Sequence, residues 1–234
     1  RDFRICERET HFKKLDHVPG QFIVECSGCG IVTRSPSLFS ADFDSKTVVD
    51  VRSDEQYIGG GPDNVVPYVQ ERLRSAEQLV HGRNFLDVGC GSGALLIHAK
   101  QRGWNCFGTE ARPEAADEMA RHGIKVYVGD LDNHQLGGMQ FDLIHMNHVL
   151  EHVSDPVDVL RSIRNLLASD GLAIVEVPNE FEAFSQRARQ ALKLDGSSIT
   201  SYYQHEWFFS PRTLKTVCEN SGLMIKELKT PYRP

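Results

Sequence analysis

A glycine-rich run, Leu86–Gly93 with the sequence LDVGCGSG, has residue types suited to holding a ligand against the backbone. Glycines let the main chain approach a ligand closely, and the start of a following helix directs N–H donors at it. Glu110 comes 21 residues after Gly89 and ends the next predicted strand, where a carboxylate can accept both hydroxyls of a ribose. A strand, a glycine turn, a helix and this acid together predict a nucleoside-binding crevice.

The glycine spacing fits two kinds of nucleoside cofactor. Gly89-x-Gly91-x-x-Ala94 satisfies the dinucleotide pattern GxGxxG/A, but Gly93 also gives the tighter GxGxG spacing. Asp87, two residues before the first glycine, can bind a ligand ammonium through a bridging water. A third acidic site, Gly129–Asp132, ends the third strand and can bind an adenine amino group. The last three features favour S-adenosylmethionine over a nicotinamide dinucleotide.

Strands and helices alternate from Asn84 onward, and this alternation would place these residues at strand ends. The predicted strands are Phe85–Gly89, Asn105–Glu110, Lys125–Val128, Phe141–Met146, Leu172–Val177 and Met224–Leu228. A first helix is predicted over Asn64–Val80 and a second between Gly89 and Gly103. A third has Pro113 in its first turn and Gly123 past its end, and two more begin at Asp155-Pro156 and Ser210-Pro211. A further helix is predicted over Glu182–Leu194. The pattern predicts an α/β fold, a Rossmann-like, doubly wound and mostly parallel sheet with helices on both faces.

Five motifs, in this order, resemble those of the class I S-adenosylmethionine-dependent methyltransferases. They are LDVGCGSG, GTE, GDLDN, FDLIHMNHVLEHVSDP and GLAIVEVPN, and the resemblance covers about residues 64–230. It is strongest to the small-molecule branch that includes the ubiquinone-biosynthesis methyltransferases. The resemblance implies that Asp87, Gly89 and Gly91 bind the methionine moiety of the cofactor and that Glu110 binds the ribose. It further implies Asp130 and Leu131 at the adenine and Met146 and Asn147 near the sulfonium, with Cys90 and Ala111 as additional cofactor-binding residues.

The end of the chain departs from that family. The sheet of that family ends with a sixth and a seventh strand, and the seventh lies antiparallel between the fifth and the sixth. Only six residues follow Leu228, so the seventh strand has little or no sequence here, and the sixth would be an exposed edge. The missing initiator Met suggests a trimmed chain or a fragment.

Two histidines, His148 and His205, are candidate general bases for a hydroxyl acceptor, because imidazole titrates near neutral pH. His148 follows the fourth strand, and His205 belongs to an aromatic run, Tyr202–Phe209, which the resemblance places over the acceptor pocket. Local packing is the alternative for both. His148 and His152 also have a metal-ligand spacing, although we favour a role in shaping the turn.

A separate N-terminal element is indicated by Cys26-x-x-Cys29-Gly30, the half-site of a zinc ribbon. Cys6 supplies a third thiolate, and Glu9 or His11 is the candidate fourth ligand. Some bacterial methyltransferases acting on sugars or other small metabolites look similar here, with a CxxC…CxxCG ribbon before the same catalytic domain. This chain has three of those four cysteines, so the alternative is a degenerate ribbon held by packing.

Composition limits the remaining possibilities. Among 234 residues, 26 Lys and Arg against 32 Asp and Glu give a net charge of −6, which argues against nucleic acid binding as the main function. No apolar run is long enough to span a membrane, and no signal peptide opens the chain, so we expect six reduced cysteines and a cytoplasmic location. The predicted organisation is a ribbon-like segment over 1–45, a linker over 46–63 and the methyltransferase domain over 64–234.

The predicted function is methyl transfer from S-adenosylmethionine to a small-molecule acceptor, by O- or C-methylation of a sugar or another metabolite. One alternative is a non-catalytic module that uses the same pocket for recognition. The other is a nicotinamide-dependent oxidoreductase, which would leave Asp87 and Asp130 unexplained and would lack a second catalytic domain. The sequence specifies neither the acceptor nor the oligomeric state.

Overall fold

The computed structural model describes residues 12–18, 21–35, 67–131, 136–179 and 205–230. Its elements in chain order are β1 (Phe12–Val18), β2 (Gln21–Cys26), β3 (Val32–Ser35), α1 (Pro67–Glu77), β4 (Asn84–Val88), α2 (Ala94–Gln101), β5 (Asn105–Glu110), α3 (Pro113–Arg121), β6 (Lys125–Val128), β7 (Phe141–Asn147), α4 (Pro156–Leu166), β8 (Leu167–Glu176), β9 (Trp207–Phe208) and α5 (Pro211–Asn220). They fall into two compact units. The parallel unit lies within 51–149 and 162–176, and the antiparallel unit within 1–50, 150–161 and 177–234.

A five-stranded parallel sheet is the centre of the parallel unit, with the spatial order β6-β5-β4-β7-β8. The chain moves outward from β4 through β5 to β6, then returns to β7 on the other side of β4. In sheets of this kind ligands bind at the carboxyl ends of the strands, at the point where the order reverses. The fold confirms the predicted Rossmann-like, doubly wound sheet, and its strand order reverses between β4 and β7.

One face of this sheet is covered by α1 and α2. Phe85 of β4 and Leu143 of β7 are buried in one cluster with Leu73 of α1 and Leu96 of α2. Because side chains alternate between faces along a strand, residues two positions further on, Asp87 and His145, lie on the same face. The apolar packing thus fixes the direction of two polar side chains near the strand ends.

A four-stranded antiparallel sheet, ordered β1-β2-β3-β9, belongs to the antiparallel unit. Its last strand comes from the far end of the chain, with Val32 opposite Phe208 and Thr33 opposite Trp207. The Thr33 hydroxyl also donates to the Glu206 carbonyl at 2.9 Å. The N-terminal hairpin therefore shares a sheet with residues that were assigned to the methyltransferase domain, and the domain boundaries at 45 and 63 stay a prediction.

The strand predicted at Met224–Leu228 is wrong, because residues 223–230 adopt no regular structure. Met224 is 96% exposed. Alternating apolar residues form a strand only where a neighbouring strand pairs their N–H and C=O groups, and none of the described strands pairs with this segment. The predicted helix at 182–194 lies outside the described residues. No helix in the described ranges is both long and apolar enough to cross a membrane.

Glu77, at the end of α1, accepts hydrogen bonds from residues that follow α2. Its carboxylate accepts hydrogen bonds from Arg102 Nε at 2.8 Å and from Trp104 Nε1 at 3.0 Å. These donors stabilise the ionised form, and the Arg102 hydrogen bond is the main cause that lowers the pKa of Glu77 below 4.5, against the opposing effect of burial.

We expect Glu77→Gln to lower the free energy of unfolding by about 1 kcal/mol at pH 7, because Arg102 loses its charged acceptor. Since the pKa is lower in the folded protein, this stabilisation is present above pH 4.5 and is lost as the pH falls through the folded-state pKa. Urea titrations at pH 7 and pH 3.5 measure both effects. Glu118→Gln, on the exposed face of α3, is the control, and an equal loss in both variants would contradict the assignment.

Candidate active site

The carboxyl ends of β4, β5, β6 and β7 form one edge of the parallel sheet. The sequence-predicted site residues on these strands and their following turns are Asp87, Gly89, Cys90, Gly91, Glu110, Ala111, Asp130, Leu131, Met146, Asn147 and His148. Asp132 lies outside the described residues. The topology thus brings the predicted cofactor residues to a single edge, whereas their individual roles stay predictions.

The glycine turn between β4 and α2 adopts left-handed backbone angles at all three glycines, with φ of 68° at Gly89, 56° at Gly91 and 74° at Gly93. A Cβ on Gly89 would lie 2.3 Å from Val149 Cγ2, and one on Gly93 would lie 2.1 Å from Met119 Sδ. These two glycines are therefore required by packing. A Cβ on Gly91, in contrast, would meet no described atom within 4 Å. Among the described residues, Gly91 is therefore the glycine of this turn whose Cβ position is open, on the side where a cofactor is expected.

Glu110 is held against this turn. Its Oε2 accepts a hydrogen bond from the Gly91 N–H at 2.9 Å. Its Oε1 accepts from the Arg112 backbone N–H at 3.2 Å and from Arg112 Nε at 3.3 Å. The carboxylate predicted to bind the ribose therefore contacts the glycine predicted to border the cofactor.

Asp87 is only 4% exposed, and its Oδ1 lies 2.7 Å from Nδ1 of His145, which is 6% exposed. The sequence predicts Asp87 as a site residue but indicates no function for His145. The period-two alternation of β7 places position 145 on the α1-covered face, and a histidine there requires a polar partner. The alternation along β7 therefore indicates a buried histidine at position 145. Identifying Asp87 of β4 as its partner also requires the register between the two strands.

The side-chain amide of Asn147, at the end of β7, has an oxygen that the described residues leave unsatisfied. Its Oδ1 is buried and has no hydrogen-bond partner within the ranges that the structure describes. A buried amide oxygen without a partner is costly, and ligand donors are one way in which such atoms are satisfied. The unpaired oxygen and the open side of Gly91 both fit a cofactor at this sheet edge.

Met146 and Cys90 belong to the packed interior. Met146 is fully buried. Burial, and secondarily the Asp87 carboxylate, raise the pKa of the Cys90 thiol far above its usual value, so it stays protonated. Any contact that Met146 and Cys90 make with a cofactor is therefore expected to use their backbone, and Cys90 is not a nucleophile.

The two candidate bases belong to different units. His148 has φ of 55°, the one positive value outside glycine among the described residues, and its N–H donates to the Glu176 carbonyl at 3.0 Å. His205 is 5% exposed and its ring centroid lies 4.8 Å from that of His152. Ligand atoms of Glu151, His152 and His205 all lie within 4.8 Å of one another, and Glu151 is fully buried.

The segment after His205 is anchored to the turn after β7. The backbone N–H groups of Glu206 and Trp207 donate to the Glu151 carbonyl at 2.8 and 3.1 Å, and Trp207 Nε1 donates to the Val153 carbonyl at 2.7 Å. Trp207, Phe208 and Phe209 are all at most 3% exposed. These three aromatic side chains are part of the core of the antiparallel unit. The rest of the aromatic run, Tyr202–Gln204, lies outside the described residues.

The cysteine knuckle lies in the turn between β2 and β3. Gly30 N–H donates to the Cys26 carbonyl at 2.8 Å, and Cys26 N–H donates to the Ile31 carbonyl at 2.9 Å. Cys26 is 2% exposed and Cys29 is partly exposed. The turn places both thiols on one loop, but Cys6, Glu9 and His11 lie outside the described residues, so the ligand set stays a prediction.

Comparison with known proteins gives consistent results. A family model described as a methyltransferase domain matches residues 65–228. The ubiquinone biosynthesis O-methyltransferase of Haemophilus ducreyi is 30% identical over 174 residues, covering 69% of this chain and 72% of that protein. A SAM-dependent methyltransferase structure from Archaeoglobus fulgidus has a TM-score of 0.51, with 23% identity over 72% of each chain. The structure of the plantazolicin methyltransferase BamL with S-adenosylhomocysteine has a TM-score of 0.52, with 12% identity, covering 71% of this chain and 64% of that one.

The two structural likenesses, at these identities, show the fold alone. The family model, however, spans more than half of the chain and includes the glycine turn, Glu110 and the end of β7. The Haemophilus relative matches 69% of the chain at 30% identity. The chain therefore belongs to the class I S-adenosylmethionine-dependent methyltransferases.

Proposed function

We propose that this enzyme methylates a hydroxyl group of a small molecule. The observation behind the cofactor assignment is the Gly91–Glu110 hydrogen bond beside open space at the carboxyl edge of the sheet. The assignment of a hydroxyl acceptor is supported by the relatives, which are named as O-methyltransferases of ubiquinone biosynthesis. A phenol-like ring is therefore the first acceptor class to test, followed by sugars and other metabolites.

Within this proposal each group of residues has a separate task. Asp87, Gly89, Cys90 and Gly91 hold the methionine end, Glu110 and Ala111 the ribose, and Asp130 and Leu131 the adenine. S-adenosylmethionine supplies a methyl group on a sulfonium, which Met146 and Asn147 border. The protein must orient the acceptor oxygen and accept its proton, which is the task proposed for His148 or His205.

Isothermal calorimetry tests the cofactor assignment. We expect binding of S-adenosylhomocysteine and none of NADH. Turnover is then measured with a panel of phenols, catechols, sugars and activated-carbon acceptors. Methylation confined to carbon acceptors would contradict the proposed hydroxyl chemistry, and binding of NADH instead of S-adenosylhomocysteine would contradict the cofactor.

Gly91→Ala should weaken S-adenosylhomocysteine binding by about tenfold, because its new methyl group would enter the space left for the cofactor. Gly103→Ala is a matched control, since Gly103 also has a positive φ, of 87°, and open space around its Cβ, but lies after α2. Both variants should lose about 1–2 kcal/mol of stability through backbone strain. Equal cofactor affinity in the two variants would exclude Gly91 from the site.

We further propose that Cys6, Cys26 and Cys29 bind zinc together with one non-cysteine ligand. The turn geometry at Cys26 and Cys29 supports this, because two thiols on one tight turn are half of a tetrahedral site. Freshly purified protein should contain about one equivalent of zinc, and Cys26→Ser should remove it while Cys218→Ser should not. Less than about a tenth of an equivalent in the unaltered protein would favour a degenerate ribbon instead.

We propose a cytoplasmic location, because the number and burial of the cysteines favour reduced thiols. Burial raises the pKa of Cys106 to about 12 and that of Cys218 to about 11, so both thiols are protonated. Six cysteines in 234 residues are fewer than a secreted disulfide scaffold normally has, which favours a reducing compartment.

A further inference from the structure

His145 and Asp87 form a buried polar pair across two neighbouring strands of the parallel sheet. They are register partners on β7 and β4, and Nδ1 lies 2.7 Å from Oδ1. Both are more than nine-tenths buried, on the face covered by α1 and α2. Buried ion or hydrogen-bonded pairs contribute little net stability compared with apolar residues of similar size, so packing alone does not account for a histidine here.

The contact determines which nitrogen of His145 has the proton. An ionised Asp87, as a residue that binds an ammonium must be, only accepts hydrogen bonds, so Nδ1 is the donor. Nε2 is buried and has no hydrogen-bond partner in the described part of the chain. A second proton there would be a buried unpaired donor on a charged ring, which is more costly than an unpaired acceptor. Opposite an ionised Asp87, His145 is therefore assigned as the Nδ1–H tautomer, with Nε2 unprotonated.

Other donors near the strand ends are used elsewhere. The Gly89 N–H donates to the Thr109 hydroxyl at 3.4 Å, and the Gly91 N–H donates to Glu110. Among the hydrogen bonds that the structure shows for the described residues, the one from His145 alone reaches the Asp87 side chain. The orientation of this carboxylate thus depends on one imidazole N–H.

We propose that His145 is a positioning residue for the methionine end of the cofactor. It donates Nδ1–H to one oxygen of Asp87 and so fixes the rotamer in which the carboxylate accepts from the cofactor ammonium, directly or through a water. This inference rests on the proposed function, because it takes Asp87 to be the ammonium-binding residue. His145 itself touches Asp87 and not the cofactor.

Two near-isosteric substitutions test the proposal. In His145→Asn the amide nitrogen falls near the position of Nδ1 and can still donate to Asp87, whereas in His145→Gln it falls near the position of Nε2 and cannot. Calorimetry is done with S-adenosylhomocysteine and with 5′-methylthioadenosine, which has the same nucleoside but no amino acid. We expect the Asn variant to bind S-adenosylhomocysteine within about threefold of the unaltered protein and the Gln variant about tenfold more weakly. Both should bind methylthioadenosine normally.

The methylthioadenosine arm reports whether each variant is folded at the nucleoside site. Equal effects of Asn and Gln on S-adenosylhomocysteine, or a parallel loss of both ligands, would overturn the positioning function and leave a structural pair. If the Gln variant does not fold, a tenfold loss in the Asn variant with normal methylthioadenosine binding would overturn it as well. In the Asp87→Asn background, His145→Gln should cause no further loss. Failure of the unaltered protein to bind S-adenosylhomocysteine would instead contradict the proposed function.

Discussion

Replacing His148 by alanine is expected to lower the single-turnover rate of methyl transfer to a hydroxyl acceptor by about 10²–10⁴-fold, with cofactor affinity nearly unchanged. A neutral alcohol or phenol is a poor nucleophile, and loss of its proton to a positioned imidazole makes attack on the sulfonium carbon possible. His148 directly follows β7 at the carboxyl edge of the sheet and is partly exposed. His205, at 5% exposure and packed on the His152 ring, is the weaker candidate.

The backbone of His148 supplies a second argument and a matched control. Its φ of 55° is unfavourable for any residue with a Cβ, and such strain is concentrated at functional sites. His148→Gly removes the imidazole and the strain together, whereas His148→Ala removes the imidazole and keeps the strain. We expect the single-turnover rate to fall by the same factor in both variants. The Gly variant should be more stable than the Ala variant by about 1 kcal/mol. Near-normal rates in both His148→Ala and His205→Ala would exclude histidine base catalysis and leave proximity as the source of the rate.

Local signals were sufficient to predict the sheet and the cofactor edge. The apolar run before Gly89, the glycines themselves and Pro113 at the start of α3 act within a few residues, and the structure has β4, α2 and α3 where they indicate. The start of α5 is an example. Ser210 accepts a hydrogen bond from the Thr213 N–H and its own N–H donates to the Thr213 hydroxyl, a capping box that the Ser-Pro pair foretold in part.

Contacts between distant parts of the chain were not predictable in this way. The hydrogen bond from Thr33 of β3 to Glu206, next to β9, joins residues 173 positions apart. Because β9 is only two residues long, no periodicity in the sequence marks it. The Asp87–His145 pair likewise depends on the parallel register of β4 and β7, which neither strand specifies alone. The error at Met224–Leu228 has the same origin, because alternation indicates which face a strand would bury but not whether a neighbouring strand is present.

Replacing Glu110 by glutamine should reduce the affinity for S-adenosylhomocysteine by about tenfold to a hundredfold, or roughly 1.5–3 kcal/mol. A carboxylate can accept from two ribose hydroxyls at once, whereas an amide offers one acceptor oxygen and a mismatched NH₂ group. Glu110→Gln also loses one of the acceptors now used by Gly91 and Arg112, so part of the effect could come from a loosened glycine turn.

A ligand pair separates these two causes. The unaltered protein should bind S-adenosylhomocysteine more tightly than its 2′-deoxy analogue, and Glu110→Gln should lose most of that preference. A loosened turn, in contrast, would weaken both ligands equally and leave the preference intact. Glu118→Gln, which alters an exposed carboxylate paired with Arg121, should change neither affinity. Because Glu110 contacts Gly91 directly, an unchanged affinity in Glu110→Gln would argue against both the ribose contact and the site built around it.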